Sequence, residues 1–161
     1  MGLSYSAASI LVIIINGAGM PFRVLVPLLA DRYGPINLIT PMSFGVAVVA
    51  WCWLAVHDLT GFYVFTVLYG IVQACFQCIF PASLTTLTNR LDMTGTRLGM
   101  AFSVIAFAAL TGPPLGGAIQ SANNGSYTGA QIWAAVITTV SFALVAAARY
   151  FKAGWDWTVH C

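Results

Sequence analysis

Residues 23–34 read RVLVPLLADRYG, an apolar run that ends in two charges, a tyrosine and a glycine. Seven apolar residues separate Arg23 from Asp31, and Gly34 is followed by a proline. An apolar run that stops at charges followed by Gly-Pro is typical of a membrane-spanning helix that ends in a tight turn. The segment therefore predicts a transmembrane helix, and it leaves Arg23 about two turns inside that helix.

The composition of the whole chain agrees with a membrane protein. Of its 161 residues, 60% are hydrophobic and 6% are charged, and the mean hydropathy is +0.89. A soluble domain has about 25% charged residues. A chain with four acidic and six basic side chains cannot cover a water-exposed surface, so we predict an integral membrane protein.

Five stretches are long and apolar enough to cross a bilayer as helices, which takes about 20 residues each. Short segments rich in turn-forming residues separate them, so consecutive helices should be antiparallel neighbours. The apolar runs lack the alternation of barrel strands. We predict an all-α bundle with spans at residues 4–29, 36–56, 62–88, 98–120 and 130–151, and a tail at 152–161.

The basic residues predict the orientation of the bundle. All six fall on one side of the predicted topology, and cytoplasmic loops carry the excess of Lys and Arg. We therefore expect a multi-pass protein of the plasma membrane with a cytoplasmic C-terminus. The opposite side holds Asn124 in an Asn-Gly-Ser glycosylation pattern. The basic residues are Arg23, Arg32, Arg90, Arg97, Arg149 and Lys152.

Arg23 is the strongest candidate for contact with a solute. An ionisable side chain within a span is costly and usually faces protein or a water-filled cavity. The alternative is that its long side chain reaches the cytoplasmic interface and leaves only its stem in lipid. Pro21 and Pro27 flank it, and prolines free backbone groups of the kind that line transporter cavities.

Milder polar residues accompany Arg23 in the spans. Gln73 and Gln77 are one turn apart and share a helix face, and Asn16 lies in the first span. These side chains either line an aqueous path or form hydrogen bonds between helices. Small residues predict close helix contacts at residues 17–19, at Gly45 and at 112–118, where the last set comprises Gly112, Pro113, Pro114, Gly116 and Gly117.

The motifs and their order resemble the major facilitator superfamily. ADRYG, residues 30–34, is similar to the loop signature G-x-L-A-D-x-x-G that joins the second and third helices of each six-helix half. TGPPLGGAI, residues 111–119, looks like the eleventh helix of the monocarboxylate porter branch. NNGSYTGAQIW and ARYFKAGWDW resemble the end of its fungal members.

The resemblance implies that the five spans are helices eight to twelve of a twelve-helix transporter. Helices one to seven would then be missing partners, and the chain would be a C-terminal fragment, a truncated product or half of a split transporter. Arg23 would contact the substrate, a small monocarboxylate-like anion, in a secondary transporter that works by alternating access with proton coupling. The same analogy assigns a cytoplasmic gate and turn to Asp31, Arg32, Gly34, Arg90 and Arg97. The alternative is that the loop charges set the topology and little else.

Other functions have less support in the sequence. A polypeptide with one half alone is expected to be a transport-inactive fragment or a helix-bundle interaction protein, and this alternative stays open. The chain has no glutamate and two histidines, too few titratable groups for the usual acid–base catalysis. It has no basic stripe for nucleic acid. Cys75 and Cys78 lack further ligands nearby, so we expect no metal and no cofactor.

Overall fold

The computed structural model describes residues 5–56, 58–87 and 91–153. Within them the chain is all-helical, and five helices are long and apolar enough to cross a membrane. The predicted fold class is confirmed. The helices are α1 (Tyr5–Tyr33), α2 (Pro35–Cys52), α3 (Leu59–Thr86), α4 (Thr94–Ala122) and α5 (Thr128–Ala153), with short 3-10 turns at Trp53–Ala55 and Leu91–Met93.

The helices run past several of the predicted span ends. α1 continues through Asp31 to Tyr33, α4 begins at Thr94, and α5 includes Lys152. Helical hydrogen bonds continue into the polar interface, where hydropathy no longer marks a span. The rest of the predicted tail, residues 154–161, lies outside the described residues, as do residues 1–4, His57 and residues 88–90.

A glycine and a proline make the turn between α1 and α2. Gly34 has φ of 83°, and its N–H donates to the carbonyl of Ala30 at 2.9 Å. This left-handed conformation is costly for residues with a side chain. Pro35 takes the first position of α2, where its missing N–H is not needed and its fixed φ suits a helix. The turn that the sequence predicts at this point is therefore present.

α3 is the central helix, because it packs along both α1 and α2, while α2 also packs along α5. A side chain at Gly70 would place its Cβ 2.5 Å from the carbonyl oxygen of Ile15, and one at Gly19 would lie 2.6 Å from the Cβ of Ala74. Such close approach of backbones needs small residues. The predicted close contact at residues 17–19 is thus confirmed at Gly19, whereas Gly17 has nothing within 4 Å.

α4 is the least packed of the described helices. None of its residues is buried, and it touches α3 and α5 over a short length. A methyl group added at Gly112, Gly116 or Gly117 would meet no atom within 4 Å, and neither Pro113 nor Pro114 is buried. The packing role predicted for residues 112–118 is not realised among these five helices, so it stays a prediction.

Polar contacts bring three helix ends together. The Arg149 Nε donates to Asn37 Oδ1 at 3.1 Å, the Ser83 hydroxyl donates to the carbonyl of Pro35 at 3.1 Å, and the Lys152 ammonium donates to the carbonyl of Thr86. The start of α2 and the ends of α3 and α5 therefore share one end of the bundle. Arg32 lies at this end through the α1–α2 turn. That this end is cytoplasmic stays a prediction.

Candidate functional site

Arg23 and Asn16 lie in one open groove of about 460 Å³ on the outer face of α1. They are seven residues apart, about two helical turns, which places them on the same face. Both are exposed, and the Asn16 amide nitrogen donates to the carbonyl of Val12 at 2.9 Å. The groove is lined by α1 alone: Val12, Ile13, Asn16, Gly17, Met20 and Arg23.

Two prolines interrupt the backbone hydrogen bonds of α1 beside this groove. Pro21 and Pro27 lie inside the continuous helix and have no N–H to donate to the carbonyls four residues earlier. Those carbonyls belong to Gly17 and Arg23, which both line the groove. The groove thus combines the guanidinium of Arg23 and the amide of Asn16 with mostly apolar side chains. A guanidinium binds a carboxylate through two parallel hydrogen bonds, so this arrangement is able to hold a small anion.

Gln73 lies in a different place. It lines a cavity of about 220 Å³ between α2, α3 and α5, together with Ser43, Tyr69 and Ser141. Gln77, one turn further along α3, is exposed on the surface. The structure therefore does not bring the four predicted solute-binding residues together: Asn16 accompanies Arg23, and the two glutamines lie elsewhere.

The separation has a simple cause in the packing of α3. Gly70 and Ala74 face α1, where backbone contact excludes larger side chains. Tyr69 and Gln73 each precede one of these residues by one position, which turns them about 100° around the helix axis. The stripe of α3 that carries them therefore faces the cavity beside α5.

Three of the predicted gate residues, Asp31, Arg32 and Arg97, are exposed, whereas Gly34 is buried in the α1–α2 turn. Asp31 and Arg32 occupy the last turn of α1, and Arg97 lies in the first turn of α4. Within the described part of the chain no ion pair joins Asp31 to Arg32 or to Arg97. Adjacent residues on a helix point in different directions, which explains why Asp31 does not pair with Arg32. Arg90 lies outside the described residues, so the gate remains a prediction.

Arg149 is the residue that sequence reasoning missed. The predicted fifth span ends at residue 151, two residues after Arg149, so the sequence places this arginine at the membrane interface. The structure instead buries Arg149, which is 7% exposed, inside α5. In the structure Arg149 lies fourteen residues, two heptads, after Ala135, which is fully buried. That spacing returns to the same face of a helix.

Asn37 holds this buried arginine in place. Its Oδ1 accepts from the Arg149 Nε, and its Nδ2 donates to the carbonyl of Tyr33 at 3.0 Å. Asn37 is 9% exposed. A buried charge needs hydrogen-bonding partners of this kind, so Arg149 ties the end of α5 to the start of α2.

The glycosylation candidate Asn124 lies in the turn between α4 and α5. It is exposed and has φ of 53°, and it precedes Gly125 at φ of 83°. The site is accessible, and its modification stays a prediction. In residues 5–56, 58–87 and 91–153, no group of three or more His, Cys, Asp and Glu side chains is placed to hold a metal ion.

The chain is similar to curated fungal transporters. It is 40% identical over 147 residues, 91% of its length, to an MFS-type transporter of Gibberella zeae. It is 34% identical over 154 residues, 95% of its length, to MFS-type transporter 1 of an Ophiocordyceps species. It is 30% identical over 136 residues, 84% of its length, to the aspyridones efflux protein apdF of Emericella nidulans.

The matches cover only part of these relatives. The chain spans 33%, 34% and 28% of their respective lengths, about a third. No family model and no solved structure matches the chain. With its five apolar helices, the chain is therefore homologous to a portion of MFS-type transporters, in accord with the predicted C-terminal part of such a protein.

Proposed function

We propose that this chain, homologous to about a third of an MFS-type transporter, supplies helices eight to twelve of a secondary transporter that moves a small solute by alternating access. The observation that carries the proposal is the 40% identity over 91% of the chain to a named transporter. A relative named as an efflux protein supports solute movement across a membrane as well.

The solute in this proposal is a monocarboxylate-like anion, and Arg23 is its contact. The support is the groove on α1, where the guanidinium of Arg23 and the amide of Asn16 lie on one face. This face is not covered by another described helix, so it is available to a substrate path shared with the rest of a longer transporter. Charge-assisted hydrogen bonds would give the site its preference for an anion.

Proton coupling and a cytoplasmic gate complete the proposal. Asp31 is the only acidic side chain on α1, and it lies exposed at the end of that helix. There it is available to bind a basic residue of another loop when the transporter closes on that side. An isolated exposed ion pair is worth about 0–1 kcal/mol, which suits a contact that must break in every cycle.

The experiment is an uptake assay of a split transporter. The chain is co-expressed with the first two thirds of the Gibberella zeae relative, and uptake of radiolabelled lactate, pyruvate and benzoate is measured. Arg23→Gln should lower uptake at least tenfold, because a hydrogen bond to a charged group contributes about 1.5–3 kcal/mol. Val24→Gln, which places the same side chain at an exposed neighbouring position of α1 without removing the cation, is the matched control.

The assay tests the role of Arg23 and the transporter proposal separately. Uptake that is equal in wild type and Arg23→Gln overturns the role of Arg23 while transport itself stands. Absence of uptake for every solute, with both polypeptides present at normal levels in the membrane, contradicts the transporter proposal.

The second candidate is a transport-inactive fragment or a helix-bundle interaction protein. It is favoured by α4, which has no buried residue and touches the other described helices only over a short length. The genomic sequence upstream of Met1 distinguishes the candidates. Seven further spans in frame favour the transporter, and their absence favours the fragment.

A further inference from the structure

A cavity of about 190 Å³ lies between α2, α3 and α5, at the end of the bundle where Arg149 is buried. Its wall is apolar except for the hydroxyls of Ser83 and Ser141 and the side chain of Arg149. This cavity is separate from the groove of Arg23, which is lined by α1 alone. Nothing in the proposed transport cycle uses it.

Two basic side chains lie at the polar end of the cavity. Arg149 forms part of the wall, and the exposed Lys152 follows it by three residues on the same face of α5. The lining residues include no acidic side chain. α2 begins beside the cavity, and a helix N-terminus carries a partial positive charge. The Lys152 ammonium meets the carbonyl of Thr86, which offsets part of the negative end of α3.

The size of the cavity limits its occupant. An apolar cavity of about 150 Å³ holds one benzene molecule, so 190 Å³ has room for a short stretch of one hydrocarbon chain. A transmembrane helix does not fit inside it, because one helical turn with side chains about 10 Å across fills roughly 400 Å³. The wall is apolar and the rim is cationic, which matches a molecule with a hydrocarbon chain and an anionic head.

We propose that this cavity binds an anionic phospholipid of the surrounding leaflet, with part of one acyl chain in the cavity and the phosphate beside Arg149 and Lys152. Basic pockets between transmembrane helices bind acidic lipid head groups in this way. The hydroxyl of Ser83, which already donates to the carbonyls of Pro35 and Ile79, lines the inner part of the cavity. The bound lipid fills the crevice between α3 and α5.

Native mass spectrometry of the detergent-purified chain tests the proposal. The probe is an equimolar mixture of phosphatidylserine and phosphatidylcholine. Wild type should retain one phosphatidylserine in preference to phosphatidylcholine. Lys152→Gln should weaken this binding about fivefold, because each basic residue near an anionic head group contributes about that factor. Arg23→Gln removes the same charge on the other face and should leave binding unchanged.

A second pair of variants tests the cavity without changing any charge. Ala148→Phe places a ring in the lining, whereas Ala147→Phe adds the same ring at an exposed neighbour outside it. Ala148→Phe should abolish selective retention, and Ala147→Phe should keep it, with equal helicity by circular dichroism. Equal retention by both, or retention without preference for phosphatidylserine, overturns the proposal. No retained lipid in wild type also overturns it, as expected if another polypeptide covers this crevice.

Discussion

Arg23 and Arg149 are two arginines in apolar helices, but Arg23 is exposed and Arg149 is buried. Arg23 lies in mid-helix and is exposed on the outer face of α1. Arg149 lies near the end of α5 and is 7% exposed, bonded to Asn37 of α2. Depth along a span therefore does not decide whether a charge is buried by protein. Its burial depends on whether a neighbouring helix packs against it.

The difference suggests different roles for the two residues. A buried, hydrogen-bonded charge fixes the arrangement of the helices that hold it, and its removal leaves a polar partner unsatisfied. A charge on an uncovered face contributes little to the packing of the bundle, so its cost within a membrane requires another explanation. We therefore expect Arg149 to act on stability and Arg23 to act on transport.

The largest expected effect comes from detaching the helix that carries Arg23. Gly70→Leu drives a side chain into the backbone of Ile15, 2.5 Å from its carbonyl oxygen. Overpacking of this kind costs about 3 kcal/mol. The free energy of unfolding, measured in mixed micelles by SDS titration with circular dichroism, should fall by that amount.

Gly17→Leu is the matched control for this variant. Gly17 lies on α1 with nothing within 4 Å, so the same substitution should leave the unfolding free energy within about 0.5 kcal/mol of wild type. Equal losses in the two variants would show that α1 and α3 do not meet at Gly70.

The next prediction compares the loss of unfolding free energy when each of the two arginines is replaced. Arg149→Met should lower the unfolding free energy by about 2 kcal/mol, because Asn37 loses a charged donor in a buried site. Arg23→Met should change it by less than about 0.5 kcal/mol, as is usual for surface substitutions. The same SDS titration measures both. A larger loss for Arg23→Met than for Arg149→Met would reverse the comparison.

The smallest effect concerns the turn that positions Asn37. Gly34→Ala places a side chain at φ of 83° and should cost about 1 kcal/mol. Gly99→Ala, inside α4 with nothing within 4 Å, should be neutral or slightly stabilising, since alanine favours helix by about 1 kcal/mol over glycine. Thermal unfolding in detergent distinguishes them, and a neutral Gly34→Ala would contradict the strained turn.

Much of the fold was predictable from local sequence. Hydropathy predicts the five helices because each must satisfy its own backbone in lipid, and Gly34 with Pro35 predicts the first turn because few other residues suit those positions. Asn16 and Arg23 share a face for the same local reason, seven-residue spacing on one helix.

The rest depends on which helix faces which. The burial of Arg149 requires Asn37, 112 positions away in the chain, and hydropathy holds no information about that pairing. The separation of Gln73 from Arg23 follows from Gly70 and Ala74 meeting α1, a choice made by close packing. Residues 112–118 show the converse: none of them is buried, because small residues permit a close contact without specifying its partner.

The most direct test of the account is transport per folded molecule for Arg23→Gln and Arg149→Gln in the split-transporter assay. Uptake is divided by the amount of folded chain in the membrane, measured by fluorescence-detection chromatography of a tagged protein. We expect Arg23→Gln to keep normal folded amounts and lose uptake at least tenfold, and Arg149→Gln to lower the folded amount while each folded molecule transports normally. Normal uptake per folded Arg23→Gln molecule would contradict the account.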